Sequence, residues 1–475
     1  MRAAWLALVA SLVASGPLRA AEPAASPDGE LALDIVLQAS RTHAPLVLEA
    51  LAKTRSAQGL AAAAQGAFDL VFSADGESPL VSGKYDGTLL GAQLRQPFAT
   101  NGGYVYGDYG YARGSFPPYS PVADGRVGEL KVGAVFALLR DRNIDPRRFE
   151  LQSAELESEV VATEGAMVAI GVQRRAMDAY YRWVTSGLRL RTYRQLLRLA
   201  EDRQTALGRQ VELGRLASLV LVENQQNIFR RRALVTQSER EFETAANQLS
   251  LFYRDGEGKP LVAQASQLPG ELTFLPSLQP DVRAVYELRP DLQGLRAKLE
   301  QAAVKLDYGQ NLLLPRVDAR FGLAQDVADP FRGRLGGDGT EAVVGLSVSV
   351  PLQRREARGK VASAKAEMEA IRYRRQAIEE QVKADIAAIG IAIDATDRLF
   401  QISRQEQEQA LRMAEAERVR FQNGASDFFL VNLREESAAD AAVRQLNAGL
   451  ERASARADLV ALSADLRLLG LAPGP

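Results

Sequence analysis

Between Val344 and Val350 the chain alternates. Val344, Leu346, Val348 and Val350 are apolar and Gly345, Ser347 and Ser349 are small or polar, the period of two that gives a strand two unlike faces. At Pro351 this gives way to a basic run, QRREARGK, and then to a helical period. Val361, Ala364, Met368, Ile371, Arg375, Ile378 and Val382 step by three and four, a heptad seam of the coiled-coil kind. Ile386, Ile389 and Ile393 continue it after a four-residue stutter, which locally unwinds a supercoil. No proline interrupts residues 352–471. A helix of about 60 residues reaches about 90 Å at 1.5 Å per residue, too long for the interior of one compact domain.

Other segments alternate in the same way. In the stretch 316–325, Val317, Ala319, Phe321 and Leu323 oppose Asp318, Arg320 and Gly322, and upstream Leu130, Val132, Ala134 and Phe136 oppose Glu129, Lys131 and Gly133. Ala137-Leu138-Leu139-Arg140 then matches Pro351-Leu352-Gln353-Arg354. These belong to a wider correspondence between the two halves of the chain. Proline opens a helical run rich in alanine and leucine at Pro45 and again at Pro290, a residue suited to the first helical turn. The long helical arms end in glycine at Gly214 and at Gly424. The chain therefore divides into a leader (residues 1–20), a first repeat of helix, strands and long helical hairpin (21–252), a glycine- and proline-rich link (253–280) and a second repeat (281–475). The strand region of the first repeat is the longer, which predicts an extra hairpin there, placed within Gly83–Pro97.

Composition narrows the setting. Residues 1–20 combine Arg2, an apolar stretch from Ala3 to Ala14, a Gly16-Pro17 break and small residues at Ala20 and Ala21, the layout of a secretory signal. No later segment is long and apolar enough for a spanning helix, so a mature chain that crosses a membrane must do so with strands. The chain has no cysteine, which excludes disulfides and the thiol that bacterial lipoproteins acylate. Its formal charge of −1 gives no reason to expect a nucleic-acid partner.

Enzyme chemistry is poorly represented. His43 is the sole histidine, leaving no partner for acid–base work and, without cysteine, no zinc set. The segment DGEGKP (255–260) lacks the spacing of a phosphate loop. The acidic DVADPFRGRLGGDG (326–339) has oxygen ligands suited to calcium but not the EF-hand spacing, and reads as a loop between strands. No nucleophile–base pair suggests a secreted hydrolase, and no cofactor or metal site is expected. The tyrosines of NGGYVYGDYGYARG stand out: Tyr104 and Tyr106 share one strand face, as do Tyr109 and Tyr111, and all four are expected in an aromatic belt of the kind that membrane barrels carry. Glycines at the arm ends suit left-handed helix caps, and the tips Gly214–Glu223 and Gly424–Glu435 lie far along the chain from the strands.

The proline-led runs, the passages VGLSVSVPLQRREARGKVASAKAE and VGAVFALLRDRNIDPRRFE, and the paired glycine tips, in the same order twice, resemble the TolC family of bacterial outer-membrane efflux proteins over about residues 30–468. The resemblance implies a mainly α fold joined to a membrane β-barrel. Long antiparallel coiled-coil helices would form an α-barrel across the periplasm, and four strands from each subunit of a homotrimer would complete a twelve-stranded β-barrel. It implies an outer-membrane channel that passively conducts drugs, metal ions or proteins handed on by an inner-membrane transporter and a periplasmic adaptor. Glu129, Lys131, Asp318, Arg320, Ser347 and Ser349 would then face the lumen, while Val344, Leu346, Val348, Leu130, Val132 and Phe136 would face outer-membrane lipid. Gly214, Arg215, Leu216, Ala217 and Ser218, with Gly424, Ala425, Ser426 and Asp427, would meet the adaptor. Acidic gating residues six positions after each tip glycine are absent, since Val220 and Leu430 stand there. That leaves Arg215, Asp427 and Arg434 as charged candidates at the constriction and Phe428 with Phe429 as an apolar seal. The competing expectation is a periplasmic coiled-coil scaffold with a soluble β-domain.

Overall fold

The computed structural model describes residues 29–78, 80–81, 85–114, 116, 128–326 and 340–472. The expected signal and nearly all of the acidic 326–339 loop lie outside the described residues, as do Gly83 and Lys84 of the expected hairpin. In chain order the elements are α1 (Leu33–His43), α2 (Pro45–Gln65), β1 (Val71–Glu77), β2 (Leu80–Val81), β3 (Tyr85–Pro97), β4 (Tyr104–Gly114), β5 (Glu129–Ala137), α3 (Pro146–Glu212) and α4 (Leu219–Leu249). Then follow α5 (Val282–Leu288), α6 (Pro290–Asn311), β6 (Arg316–Asp326), β7 (Thr340–Ser349), α7 (Arg355–Gln422) and α8 (Phe428–Leu462). Proline occupies the first position of α2, α3 and α6, where its missing N–H has no intrahelical partner to lose. α3 and α7 run for 67 and 68 residues, which corresponds to about 100 Å each.

The chain forms two compact units, each drawing on both sequence halves. One comprises residues up to Lys53, 162–293 and 376–475; the other comprises 54–161 and 294–375. The core of the first lies on the middle of α3, where Met177, Tyr181 and Trp183 pack with Val36 and Leu37 of α1, Leu249 of α4 and Leu469. Several polar groups there are paired, although the Trp183 indole N–H is buried without a protein partner among the described residues. Ser40 Oγ donates to Gln173 Oε1 at 2.8 Å, Gln173 Nε2 donates to the Leu37 carbonyl at 3.0 Å, and the Tyr180 hydroxyl donates to the Leu31 carbonyl at 2.9 Å. The link between the halves joins this core through Ala263, Leu268 and Phe274.

The second unit holds the sheet, an antiparallel meander in the order β1-β3-β4-β5-β6-β7, with the two-residue β2 beside β3. The expectation of four strands per chain is therefore corrected to six full strands among the described residues. The segment expected to contain a hairpin is instead a single strand from Tyr85 to Pro97, paired along one side with β1 and along the other with β4. Gly91 lies inside this strand, where a Cβ would come within 2.7 Å of Asp75 Oδ1. Beside the sheet, α6 is held to α3 by the Phe149–Tyr308 stack, with ring centroids 4.6 Å apart, and to α7 by Lys305–Glu367 at 2.7 Å.

Candidate channel wall and hairpin tips

The strand register sorts every side chain of the sheet onto one of two faces. Opposite partners point the same way, so Phe136, Ala134, Val132 and Leu130 of β5 share a face with Ala319, Phe321, Leu323 and Gln325 of β6, and these with Leu346, Val344, Ala342 and Thr340 of β7. The pairings of β4, β3 and β1 extend the same face through Val105 and Tyr109, through Leu94, Ala92 and Leu90, and through Phe72 and Ala74. From Gln96 to Leu90 on β3 and at the matching positions of the other strands it carries no charge, and Arg113 of β4 stands just beyond, opposite Thr88. Its large side chains are nevertheless exposed, Val344 to 77% and Leu346 to 67%. That is the opposite of what water would select.

The other face is polar. It bears Glu129 and Lys131 on β5, Asp318 and Arg320 on β6, and Ser347 and Ser349 on β7, the six residues singled out from the sequence. It also bears Asp75, Arg95, Asp108 and Glu341. Lys131 pairs with Glu129 at 2.8 Å and Arg316 with Asp318 at 2.7 Å. This face is the concave one. Asp75 on one edge strand and Glu341 and Val343 on the other line a common cavity of about 530 Å³ with Tyr106, Lys131 and Arg320.

The tyrosine pairs divide between the faces. Tyr109 and Tyr111 lie on the apolar face opposite Ala92 and Leu90, whereas Tyr104 and Tyr106 lie on the charged one, where the Arg95 guanidinium sits 3.7 Å over the Tyr104 ring. The expectation that all four form a lipid-interface belt is thus corrected for Tyr104 and Tyr106. The odd spacing from Tyr106 to Tyr109 already required opposite faces. Sequence reading missed a second aromatic group near the helical end of the apolar face, where Phe136 stacks with Phe98 at 5.1 Å and meets Phe321 at 6.2 Å.

Where β5 gives way to α3, Arg148 fixes the turn. It is nearly buried and donates to Asp145 Oδ1 and to the carbonyls of Thr100, Asp141, Arg142 and Asn143, all at 2.7–3.0 Å. Asp145 Oδ1 also accepts from the Arg148 N–H at 3.0 Å, capping α3. Burial opposes the Asp145 charge, but these hydrogen bonds and the nearby Arg147 hold its carboxyl below the usual range.

The two tips close by the same hydrogen bonds. Gly214 and Gly424 have φ of 69° and 73°. The N–H of Gly214 donates to Val211 O and that of Arg215 to Gln210 O, and likewise Gly424 to Phe421 O and Ala425 to Arg420 O, at 2.8–3.0 Å. This is the Schellman closure, in which glycine takes the left-handed conformation without a Cβ penalty. Asp427 Oδ1 caps α8 by accepting from the Leu430 N–H at 2.7 Å, and Ser426 Oγ donates to Glu417. Arg215, Leu216, Ala217 and Ser218 are exposed, as is Ala425. The two neighbouring phenylalanines part company: Phe428 is buried with Arg203 over its ring at 5.9 Å, while Phe429 is 73% exposed. Val220, Leu430 and Arg434 are half-buried.

Behind the second tip is a buried ionic cluster that no local pattern announces. Glu435 receives hydrogen bonds from Arg203 and Arg231, with Arg418 at 3.7 Å, and Arg203 and Arg231 also reach Asn432. Glu435 and Arg231 are almost wholly buried, and burial pulls the Arg231 guanidinium below its ordinary range.

No family model matches the chain, and no curated protein matches it in sequence. Solved structures do match its fold. The open-state MtrE outer-membrane channel of Neisseria gonorrhoeae superposes with a TM-score of 0.63 at 14% identity, covering 91% of this chain and 88% of that one. The CmeC outer-membrane channel of Campylobacter jejuni gives 0.62 at 11%, over 92% and 89%. The outer-membrane protein VceC of Vibrio cholerae gives 0.60 at 17%, over 91% and 96%. Near-complete coverage of both partners at TM-scores of 0.60–0.63 establishes that this chain has the TolC-family fold.

Proposed function

We propose that the chain is the outer-membrane channel of a tripartite efflux or secretion system. The observation that supports this most directly is the sheet's two-sidedness: an uncharged, exposed convex face of a height suited to the roughly 25 Å apolar band of an outer-membrane barrel, backed by a concave face of charged side chains. Lipid is the solvent that fits the first, and a water-filled lumen the second. A soluble β-domain on a coiled-coil scaffold would bury the apolar face against another layer. Among the described residues nothing covers it.

On this reading three copies assemble, with the long helices forming a periplasmic tunnel and the two sequence halves acting as repeats. The hairpin tips at Gly214–Ser218 and Gly424–Asp427 meet a periplasmic adaptor that couples the channel to an inner-membrane transporter. Phe429, Val220, Leu430 and Arg434 lie where a constriction would form, and export uses the N-terminal signal without lipidation. The channel contributes no catalysis; transport is driven by the partner pump. The test is fractionation followed by reconstitution. The protein is expected in the outer-membrane fraction as a heat-modifiable oligomer that adds conductance to a planar lipid film. Recovery of native protein in the salt-washed soluble fraction would favour the scaffold.

A further inference from the structure

The edges of the sheet extend this reading. β1 ends it on one side and β7 on the other, and the outer side of each lacks a strand partner among the described residues. In a bilayer such a row of unpaired N–H and C=O groups costs several kcal/mol per group, so strands there must close into a barrel. The first hairpin belongs to the same layer as the rest. Phe72, Ala74, Leu90 and Leu94 continue the uncharged face, while Asp75 and Arg95 continue the charged one. An appendage outside the bilayer would have no reason to keep that pattern. Six strands fall short of the eight of the smallest outer-membrane barrels. Because the count is even and each neighbouring pair is antiparallel, β1 and β7 run in opposite directions, so a β7–β1 seam between copies is antiparallel like every other pairing.

We infer that all six strands of each copy enter the barrel, β7 of one copy pairing with β1 of the next, so that three copies close an eighteen-stranded wall instead of a twelve-stranded one. The count rests on the trimer proposed above. Since barrel diameter grows roughly linearly with strand number, the mouth is about 1.5-fold wider than twelve strands allow.

The chain has no cysteine, so introduced thiols are unique. Ser73→Cys on β1 is combined in turn with Val343→Cys, Gly345→Cys, Ser347→Cys or Ser349→Cys on β7. All five positions lie on the concave face. A parallel set uses Gly110→Cys on β4, where a Cβ meets no atom within 4 Å. Full-length protein in outer membranes is treated with a short bis-maleimide, and native mass spectrometry of the unmodified protein reports the number of copies independently. The expected result is a three-copy mass, a covalent ladder from at least one Ser73 pair and none from the Gly110 pairs. A three-copy mass with ladders only from Gly110 would leave the trimer standing and overturn the eighteen-stranded wall, as would a Ser73 cross-link confined within one chain. A mass of any other copy number overturns the trimer and the strand count together. Electron-microscopic end views of the unmodified protein in lipid discs give a second measurement. A ring of twelve-strand diameter overturns the inference whether or not the cysteine variants assemble.

Discussion

Charged side chains buried away from water set the most exposed vulnerabilities of this chain. Removing the Glu435 carboxylate leaves the buried Arg231 and the half-buried Arg203 without their counter-charge, and breaking such a buried pair costs about 3–5 kcal/mol. Glu435→Gln is expected to lower the melting temperature measured by circular dichroism, and Phe429→Ala, at an exposed position, is not. Asp145 has the opposite chemistry at the exit from the sheet. Its carboxyl is held below the unfolded value, so the stabilisation is complete above the ordinary aspartate range near pH 4 and fades as pH falls through the lower folded value. Acid unfolding followed by intrinsic fluorescence should show a shallower pH dependence in Asp145→Asn than in the parent. Neither cluster was legible beforehand. Arg203, Arg231 and Glu435 come from three helices and both sequence halves, and side-chain chemistry assembled by tertiary packing leaves no periodic trace. The tip glycines were legible, because a helix that must stop needs a residue tolerant of positive φ, and Gly214 and Gly424 both meet that need. For the same reason Gly424→Ala is expected to cost about 1–2 kcal/mol through left-handed strain and to weaken cross-linking to an adaptor more than it weakens assembly.

At the scale of elements, periodicity carried most of what the sequence disclosed. Every seam position of α7 from Val361 to Ile393 is buried or half-buried, and the strands of β5, β6 and β7 keep the two faces read from their alternation. The longer first strand region announced an extra pair of strands, but alternation did not place its turn, since Tyr85–Pro97 is one unbroken strand paired with β1 and β4. Nor could it separate contacts within a chain from contacts between chains. Ile378, on the seam, is already half-buried in a single copy, whereas Ile391, Ile402 and Met413 are exposed to 72%, 62% and 46% and fall near one another around the axis of α7. An exposed apolar stripe on a helix this long fits a neighbouring copy. Ile402→Asp is therefore expected to reduce the proposed oligomer to single copies on a native gel while preserving helicity, and Ile378→Asp to lower the helical signal itself.

At the scale of the whole molecule, the channel proposed above makes the two faces of the sheet an inside and an outside, and that inside has a sign. Among the described residues the concave face carries the carboxylates Asp75, Glu77, Asp108, Glu129, Asp318 and Glu341 against the bases Arg95, Lys131, Arg316 and Arg320, an excess of negative charge that each copy of the proposed oligomer would repeat. Rings of acidic side chains favour cations in a water-filled pore. In the wide lumen of the proposed channel that preference would be modest and screened over the roughly 8 Å Debye length of physiological salt. It should therefore be largest in dilute electrolyte. In planar films under a potassium chloride gradient, the reversal potential is expected on the cation-selective side and to shrink as salt rises. Asp75→Asn with Glu341→Gln, at the two edge strands that line one cavity, is expected to move it toward zero without lowering conductance. A reversal potential unchanged by that double substitution would place these carboxylates away from the permeation path and the concave face outside the pore.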